Sequence, residues 1–190
     1  MHSTHGFAHP KRNAAALEVH HGMKVADFGA GSGAYVLAFA EQVGGSGTVY
    51  AVDIQKDLLR RVHNDATKLG FKNIEIVWGD LEAPNGSKIA DGHVDLVLIS
   101  NILFQIEDKR AVLAEAKRIL KSGGRLAIID WSESFGGMGP HRDDVVTKEK
   151  AYELAHHAEL TFQKEFPAGA HHYGLVFKKQ AVSHGKTTRI

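Results

Sequence analysis

Cysteine is absent from the 190 residues, and that one absence removes several kinds of chemistry. Without thiols there is no disulfide scaffold, zinc–thiolate site, iron–sulfur centre or cysteine nucleophile. A charge excess is lacking too: 23 Lys+Arg face 22 Asp+Glu, a formal net charge of +1. A dedicated nucleic-acid or membrane-surface binder carries a strong basic excess, so neither partner is expected. No apolar run approaches the ~20 residues of a bilayer span, and the N-terminus lacks the apolar core of a signal peptide. The expected location is the cytoplasm. What remains is a globular composition, 43% hydrophobic and 24% charged, of a size that fits one domain with a substantial core.

Two residue types are in excess. Glycine, at 20 of 190, exceeds the usual ~7% and gathers at junctions. The 13 histidines include the doublets His20-His21, His156-His157 and His171-His172. Sequence neighbours point apart on a strand and ~100° apart on a helix, so a doublet is no ligand pair, and no metal site is expected.

Five nearly continuous apolar runs, Lys24–Phe28, Thr48–Asp53, Ile74–Gly79, Val94–Ser100 and Arg125–Asp130, read as parallel strands covered on both faces. Helical patterns at Ser32–Val43, Gln55–Leu69 and Asp108–Leu120 alternate with them, each followed by glycine. Lys11–His20 reads as a short leading helix. Beyond Trp131 comes an aperiodic loop, then a helix capped by Thr147. Strands at Thr161–Phe166 and Tyr173–Lys179 follow, joined by a loop at Pro167–His172. The pattern predicts an α/β fold, a three-layer Rossmann-like sandwich whose seven-stranded, mostly parallel sheet ends in an antiparallel edge hairpin. The whole chain, 1–190, reads as one domain. Its parts are an N-terminal arm (1–9), a cofactor-binding half (22–130), an acceptor loop with the hairpin (131–180) and a frayed tail (181–190).

The first strand runs into Asp27-Phe28-Gly29-Ala30-Gly31-Ser32-Gly33-Ala34. Glycines at a strand-to-helix corner let a ligand lie against bare backbone, and the helix start offers unpaired N–H groups. Asp53 ends the second strand at the spacing where a carboxylate accepts ribose hydroxyls. Gly29-x-Gly31-x-x-Ala34 also satisfies a permissive dinucleotide pattern, so an NAD(P) oxidoreductase is a competing reading. Asp27 argues against it, because a carboxylate beneath the turn repels a pyrophosphate and attracts an ammonium.

At these positions the chain resembles the class I, Rossmann-like S-adenosylmethionine-dependent methyltransferases. Val25–Gly33 resembles that family's first motif, Val49–Asp53 its ribose-binding strand, and Gly79-Asp80-Leu81 its adenine-side motif. Ser100-Asn101-Ile102-Leu103 resembles the turn after strand four, and Leu120–Leu126 the turn into strand five. The resemblance implies S-adenosyl-L-methionine as cofactor and S-adenosyl-L-homocysteine as product. It implies that Asp27 holds the ammonium and that Gly29, Ala30, Gly31 and Gly33 lie along the methionyl group. Asp53 then takes the ribose, Ile54 and Leu81 cover the adenine faces, Asp80 accepts from the adenine amino group, and Asn101 lines the methionyl end.

Methyl transfer to a small molecule by in-line displacement is the activity this implies. The chain also resembles, more loosely, the ubiquinone/menaquinone C-methyltransferases. The acceptor itself is not readable, because the cofactor carries the electrophile and the protein chiefly orients the reactants. Absent cysteine excludes the covalent cytosine-C5 route and thiol-bound arsenic chemistry. The stretch after strand four also lacks the Asn-Pro-Pro-aromatic pattern of adenine- and glutamine-amide methyltransferases. Candidates for a base are His141, His172, Tyr173 and Asp130, with Arg142 and His171 as further polar groups. The arm around Gly6-Phe7 and the loop Trp131–Arg142 are the expected lid. Two alternatives keep the cofactor: a protein or RNA acceptor contacted by Lys11-Arg12 and Lys178-Lys179, and a non-catalytic regulatory module.

Overall fold

The computed structural model describes residues 8–137 and 139–181. Seven strands form one sheet in the order β3-β2-β1-β4-β5-β7-β6. They are β1 Lys24–Phe28, β2 Thr48–Asp53, β3 Ile74–Trp78, β4 Val94–Ser100, β5 Leu120–Trp131, β6 Leu160–Gly169 and β7 His172–Lys179. Strands β1 to β5 pair in parallel, whereas β7 runs antiparallel between β5 and β6. The architecture is the α/β sandwich with an antiparallel C-terminal hairpin that the apolar runs predict.

Helices α1 (Pro10–Ala16), α2 (Ala34–Val43) and α3 (Lys56–Lys68) lie on one face, and α4 (Lys109–Ile119) and α5 (Lys148–His157) on the other. Side chains of a strand alternate between the faces. Val25 therefore joins a core with Val36, Phe39, Leu59 and Val62, while Ala26 and Phe28 join Val112, Leu113, Ile119 and Leu154. Each fully buried Phe or Leu here contributes about 1.5–3 kcal/mol. Asp27 shares the face of Val25, and by its position it is carried to the end of the strand, beneath α2.

Three boundaries differ from the sequence reading by three residues or more. The leading helix stops at Ala16 because Glu18 takes a left-handed conformation, φ 53°. Helix α4 passes directly into β5, whose residue Leu120 pairs with Val94 before the register shifts to Leu96 and Arg125, so Gly123 bends a bulge within the strand. Strand β6 continues through Pro167 to Gly169, leaving only Ala170 and His171 in the turn. Proline is tolerated there because β6 is the sheet edge. Among the described residues no helix is long and apolar enough to cross a membrane.

Candidate functional site

Parallel α/β sheets bind ligands where the loops diverge beyond the carboxyl ends of the strands, at the point where strand order reverses. Here that point lies between β1 and β4. A cleft of about 400 Å³ opens there, lined by Asp27, Gly31, Tyr35, Asp53, Asn101, Trp131 and His172 among others. A second lobe of about 200 Å³ adjoins it over Ile54, Asp80 and Leu81; the two share Gly29, Asp53, Gln55, Ile102 and Gln105. A larger cavity, about 620 Å³, sits at the opposite end of the sheet over Gly44–Thr48 and Gly70–Asn73. A cavity of equal volume lies over Ser132, Lys148, Glu165, His172 and Tyr173. Volume favours these two, but the converging acids and the glycine turn belong to the cleft between β1 and β4.

The turn after β1 is held from both sides. The Asp53 carboxylate accepts from the Gly31 amide at 2.9 Å and from the Gln55 amide at 2.8 Å, joining the turns that follow β1 and β2. An ionised carboxylate has about four acceptor sites, so half its capacity remains. Gly29 has φ 75°, and a Cβ there would meet Ile102 Cγ2 at 2.6 Å, so only glycine lets the turn after β4 close over the turn after β1. Gly33 caps α2 and is buried against Val62, away from the cleft. Ala30 and Gly31 line it.

Asp27 is 2% exposed. Burial, followed by the neighbouring Asp53 charge, pushes its carboxyl up to about 7, and no donor or cation among the described residues counters them. Across the cleft, Asn101 holds a left-handed backbone, φ 56°, which asparagine tolerates. Its amide donates to the Ile129 carbonyl at 2.9 Å, and its Oδ1 is buried with no hydrogen-bond donor. In the smaller lobe, Ile54 is 59% exposed while Leu81 is buried. The Trp78 indole fixes the Ile54 turn by donating to its carbonyl at 2.9 Å, and Asp80 accepts the Glu82 amide at 3.0 Å.

A family described as a methyltransferase domain matches residues 19–186. The chain belongs to that family. A solved structure of an S-adenosylmethionine-dependent methyltransferase from Aquifex aeolicus superposes on this domain with a TM-score of 0.82. It is 25% identical to the chain, and the match covers 90% of each. An arsenite methyltransferase of Aquipseudomonas alcaligenes is 36% identical over 113 residues, 57% of this chain and 33% of that protein. A ubiquinone/menaquinone biosynthesis C-methyltransferase of Cupriavidus necator is 29% identical over 155 residues, 82% of this chain and 58% of that protein. The chain thus spans less than two thirds of either relative.

The methyltransferase domain takes S-adenosylmethionine as its cofactor, and the residues present fit that group. A buried carboxylate without a cation suits an ammonium, and an orphaned Asn101 oxygen suits a donor. A partly engaged Asp53 suits a ribose, and Ile54 with Leu81 forms an apolar slot for a flat base.

The four candidate bases separate. Asp130 is buried and lies outside the cleft; its oxygens accept the Leu103 amide at 3.1 Å and the Trp131 amide at 2.8 Å. Burial pushes it up to about 6. Tyr173 is buried, and its hydroxyl donates to the Val146 carbonyl at 2.9 Å. His141 is exposed and caps the short turn Arg142–Asp144, where Arg142 is exposed too. His171 pairs with Glu133 at 2.6 Å and stacks on Phe135. Only His172 of the four candidates lines the cleft, because the β5–β7 register sets it opposite Trp131.

Gly6 and Phe7 of the expected lid lie outside the described residues. Of the loop after Trp131, Gly139, φ 76°, packs on the Trp131 ring, which a Cβ there would meet at 2.7 Å; none of the described residues from 132 to 142 lines the cleft. Sequence reasoning missed Tyr35, Gln105 and Pro10 as lining residues. Tyr35 had a signal, being the second residue of the helix that leaves the glycine turn. Among the described residues no group of three or more His, Asp or Glu could hold a metal ion.

Proposed function

We propose that the protein transfers the methyl group of S-adenosylmethionine to a small-molecule acceptor. The single observation that carries this reading is a buried, uncompensated Asp27 beneath a glycine turn, opposite the orphaned Asn101 oxygen. When bound, the cofactor supplies a methyl carbon activated by a cationic sulfur that leaves as a neutral thioether. The chain's own residues bind and orient. Asp27 neutralises the ammonium, Gly29, Ala30 and Gly31 offer backbone along the methionyl group, and Asp53 holds the ribose. Ile54 and Leu81 sandwich the adenine, and Asp80 accepts from its amino group. Asn101 holds the methionyl end toward the acceptor, and Trp131 with the loop crossing it keeps water from that side.

A small acceptor is supported by the modest volume of the cleft, about 400 Å³, and by relatives whose names specify arsenite and ubiquinone/menaquinone biosynthesis. The cysteine-free sequence separates this chain from thiolate-bound arsenic chemistry. One member of each basic pair that could contact a macromolecule has a partner within the chain: Lys11 pairs with Glu41, and the Lys179 ammonium donates to the Lys117 and Leu120 carbonyls at the end of α4.

Titration calorimetry tests the cofactor reading. S-adenosylhomocysteine is expected to bind with roughly micromolar affinity, about −8 kcal/mol, and NAD not at all. Gly31→Trp fills the turn and should abolish binding, and Asp53→Ala should weaken it at least about tenfold, the loss of one charge-assisted hydrogen bond or more. Undiminished affinity in both variants would move the site elsewhere.

A further inference from the structure

We infer that His172 is the general base of the reaction, its Nε2 taking the proton from a neutral phenolic or enolic hydroxyl in the part of the cleft lined by Trp131 and Asn101. This rests on the methyl-transfer reading above and names the class of acceptor for it.

The argument begins with the tautomer. His172 Nδ1 lies 2.9 Å from the Ala170 carbonyl. A carbonyl only accepts, so Nδ1 carries the hydrogen and the neutral ring presents a bare lone pair at Nε2. That atom is buried and has no hydrogen-bond partner, in a residue only 7% exposed. Buried polar atoms are nearly always paired, so an unpaired acceptor on a residue that lines the ligand cleft is assigned a ligand donor. The ring is held in place by Trp131, 4.4 Å between centroids, and by its cross-strand position in β7. Burial also holds the imidazole below the usual histidine range, so the neutral, proton-accepting form prevails at neutral pH.

The other ionisable groups of the cleft are committed. Both Asp53 oxygens accept backbone amides and their remaining capacity is assigned to the ribose, while Asp27, under the glycine turn, is assigned to the ammonium. The Tyr35 hydroxyl accepts from Asn13 Nδ2 at 2.8 Å. No Lys or Arg among the described residues lines the cleft. Lys148 lines the other cavity that His172 borders, where it is paired with Glu165. In the cofactor cleft a carboxylate acceptor would meet no cation among the described residues, and a cationic amine would compete with the cofactor ammonium for Asp27. A neutral hydroxyl suits the site. Its oxygen is a poor nucleophile until the proton leaves, which is what a base supplies. Phenols, with a pKa of about 10 as in tyrosine, lie within reach of an imidazole; aliphatic alcohols are far less acidic.

The step balances. The acceptor O–H bond breaks, an N–H bond forms at Nε2, and the electron pair stays on oxygen. That pair forms the bond to the methyl carbon as the carbon–sulfur bond breaks with its electrons to sulfur. The imidazolium then returns its proton to water.

Nitrogen-15 NMR of the whole chain loaded with S-adenosylhomocysteine, titrated with phenol, benzylamine and benzoate, tests this. Before titration, Nδ1 should be protonated and Nε2 bare. Phenol should move the Nε2 signal toward the protonated range, and benzylamine and benzoate should leave it in place. His172→Phe should keep its affinity for S-adenosylhomocysteine and lose about fivefold to tenfold in phenol affinity. His172→Gln, which offers an acceptor oxygen but cannot carry the proton, should still bind phenol and lose about 100-fold or more in methyl transfer to catechol. An Nε2-protonated ring, a signal unmoved by phenol, or a response to benzylamine or benzoate instead overturns the proposal. Calorimetry keeps the two readings apart. No S-adenosylhomocysteine binding by the unsubstituted chain overturns the cofactor reading and this one with it, whereas intact binding with an unmoved Nε2 overturns this one alone.

Discussion

Asp27 is a carboxylate that the fold buries and leaves without a counterion. Its folded pKa, about 7, lies above the unfolded value near 3.9, and Asp130 at about 6 follows suit. For a raised acid the native state binds more protons than the unfolded one, so its contribution to stability is full below the unfolded pKa and is lost as pH rises through the folded pKa. Free of ligand, the protein should therefore lose stability between about pH 4 and pH 7 on account of these two groups. Urea denaturation at pH 5.5 and 8 should show the fall, and Asp27→Asn should flatten it. An ammonium placed against Asp27 reverses its preference. S-adenosylhomocysteine binding near pH 6.5 should release protons, visible as a buffer-dependent calorimetric enthalpy that Asp27→Asn removes. Asp27 and Asp53 were legible in the sequence because strand ends and the glycine turn fix where they sit. His172 and His141 were not separable there, since both follow polar loops. What separates them is hairpin register, which buries one beside Trp131 and leaves the other in solvent. Asp130 was misleading in a different way: it ends a strand at the right edge, but its oxygens hold the backbone of the adjoining turns.

The adenine lobe depends on a segment without regular structure, from Gly79 to Ile89, which is anchored on α4. Glu115 accepts from the Ser87 amide at 2.9 Å and from its hydroxyl at 2.5 Å, and it pairs with Arg118 through both oxygens at 2.7 and 2.8 Å. Arg118 in turn donates to the Ile89 carbonyl at 2.8 Å. Burial works to raise the Glu115 carboxyl, but the Arg118 and Ser87 donors hold it below the usual range. Glu115→Ala leaves Ser87 and Arg118 without their partner and should cost about 3 kcal/mol, read by urea denaturation. Affinity for S-adenosylhomocysteine should fall several-fold as the segment loosens. This anchor had no sequence signature, since a glutamate on a helix reads as surface. The strands, by contrast, were legible as apolar runs. The boundary between α4 and β5 was not, because Gly123-Gly124 reads as a helix stop when those residues form a bulge inside the strand.

The ligand would bridge turns from both halves of the sheet, so binding should stabilise the molecule as one unit. At about 100 times its dissociation constant, S-adenosylhomocysteine should add about 2.7 kcal/mol. A domain of this size then melts about 5–10 °C higher, which differential scanning fluorimetry would register; an unchanged melting temperature would mean that the cleft is not the binding site. The order of the sheet has a consequence of another kind. Strand β7, the last of the seven in chain order, sits inside the sheet between β5 and β6. During translation β5 therefore waits with a bare edge until residues 172–179 leave the ribosome. Over that interval the nascent polypeptide exposes an adhesive border that a chaperone must shield or a neighbouring polysome product can capture.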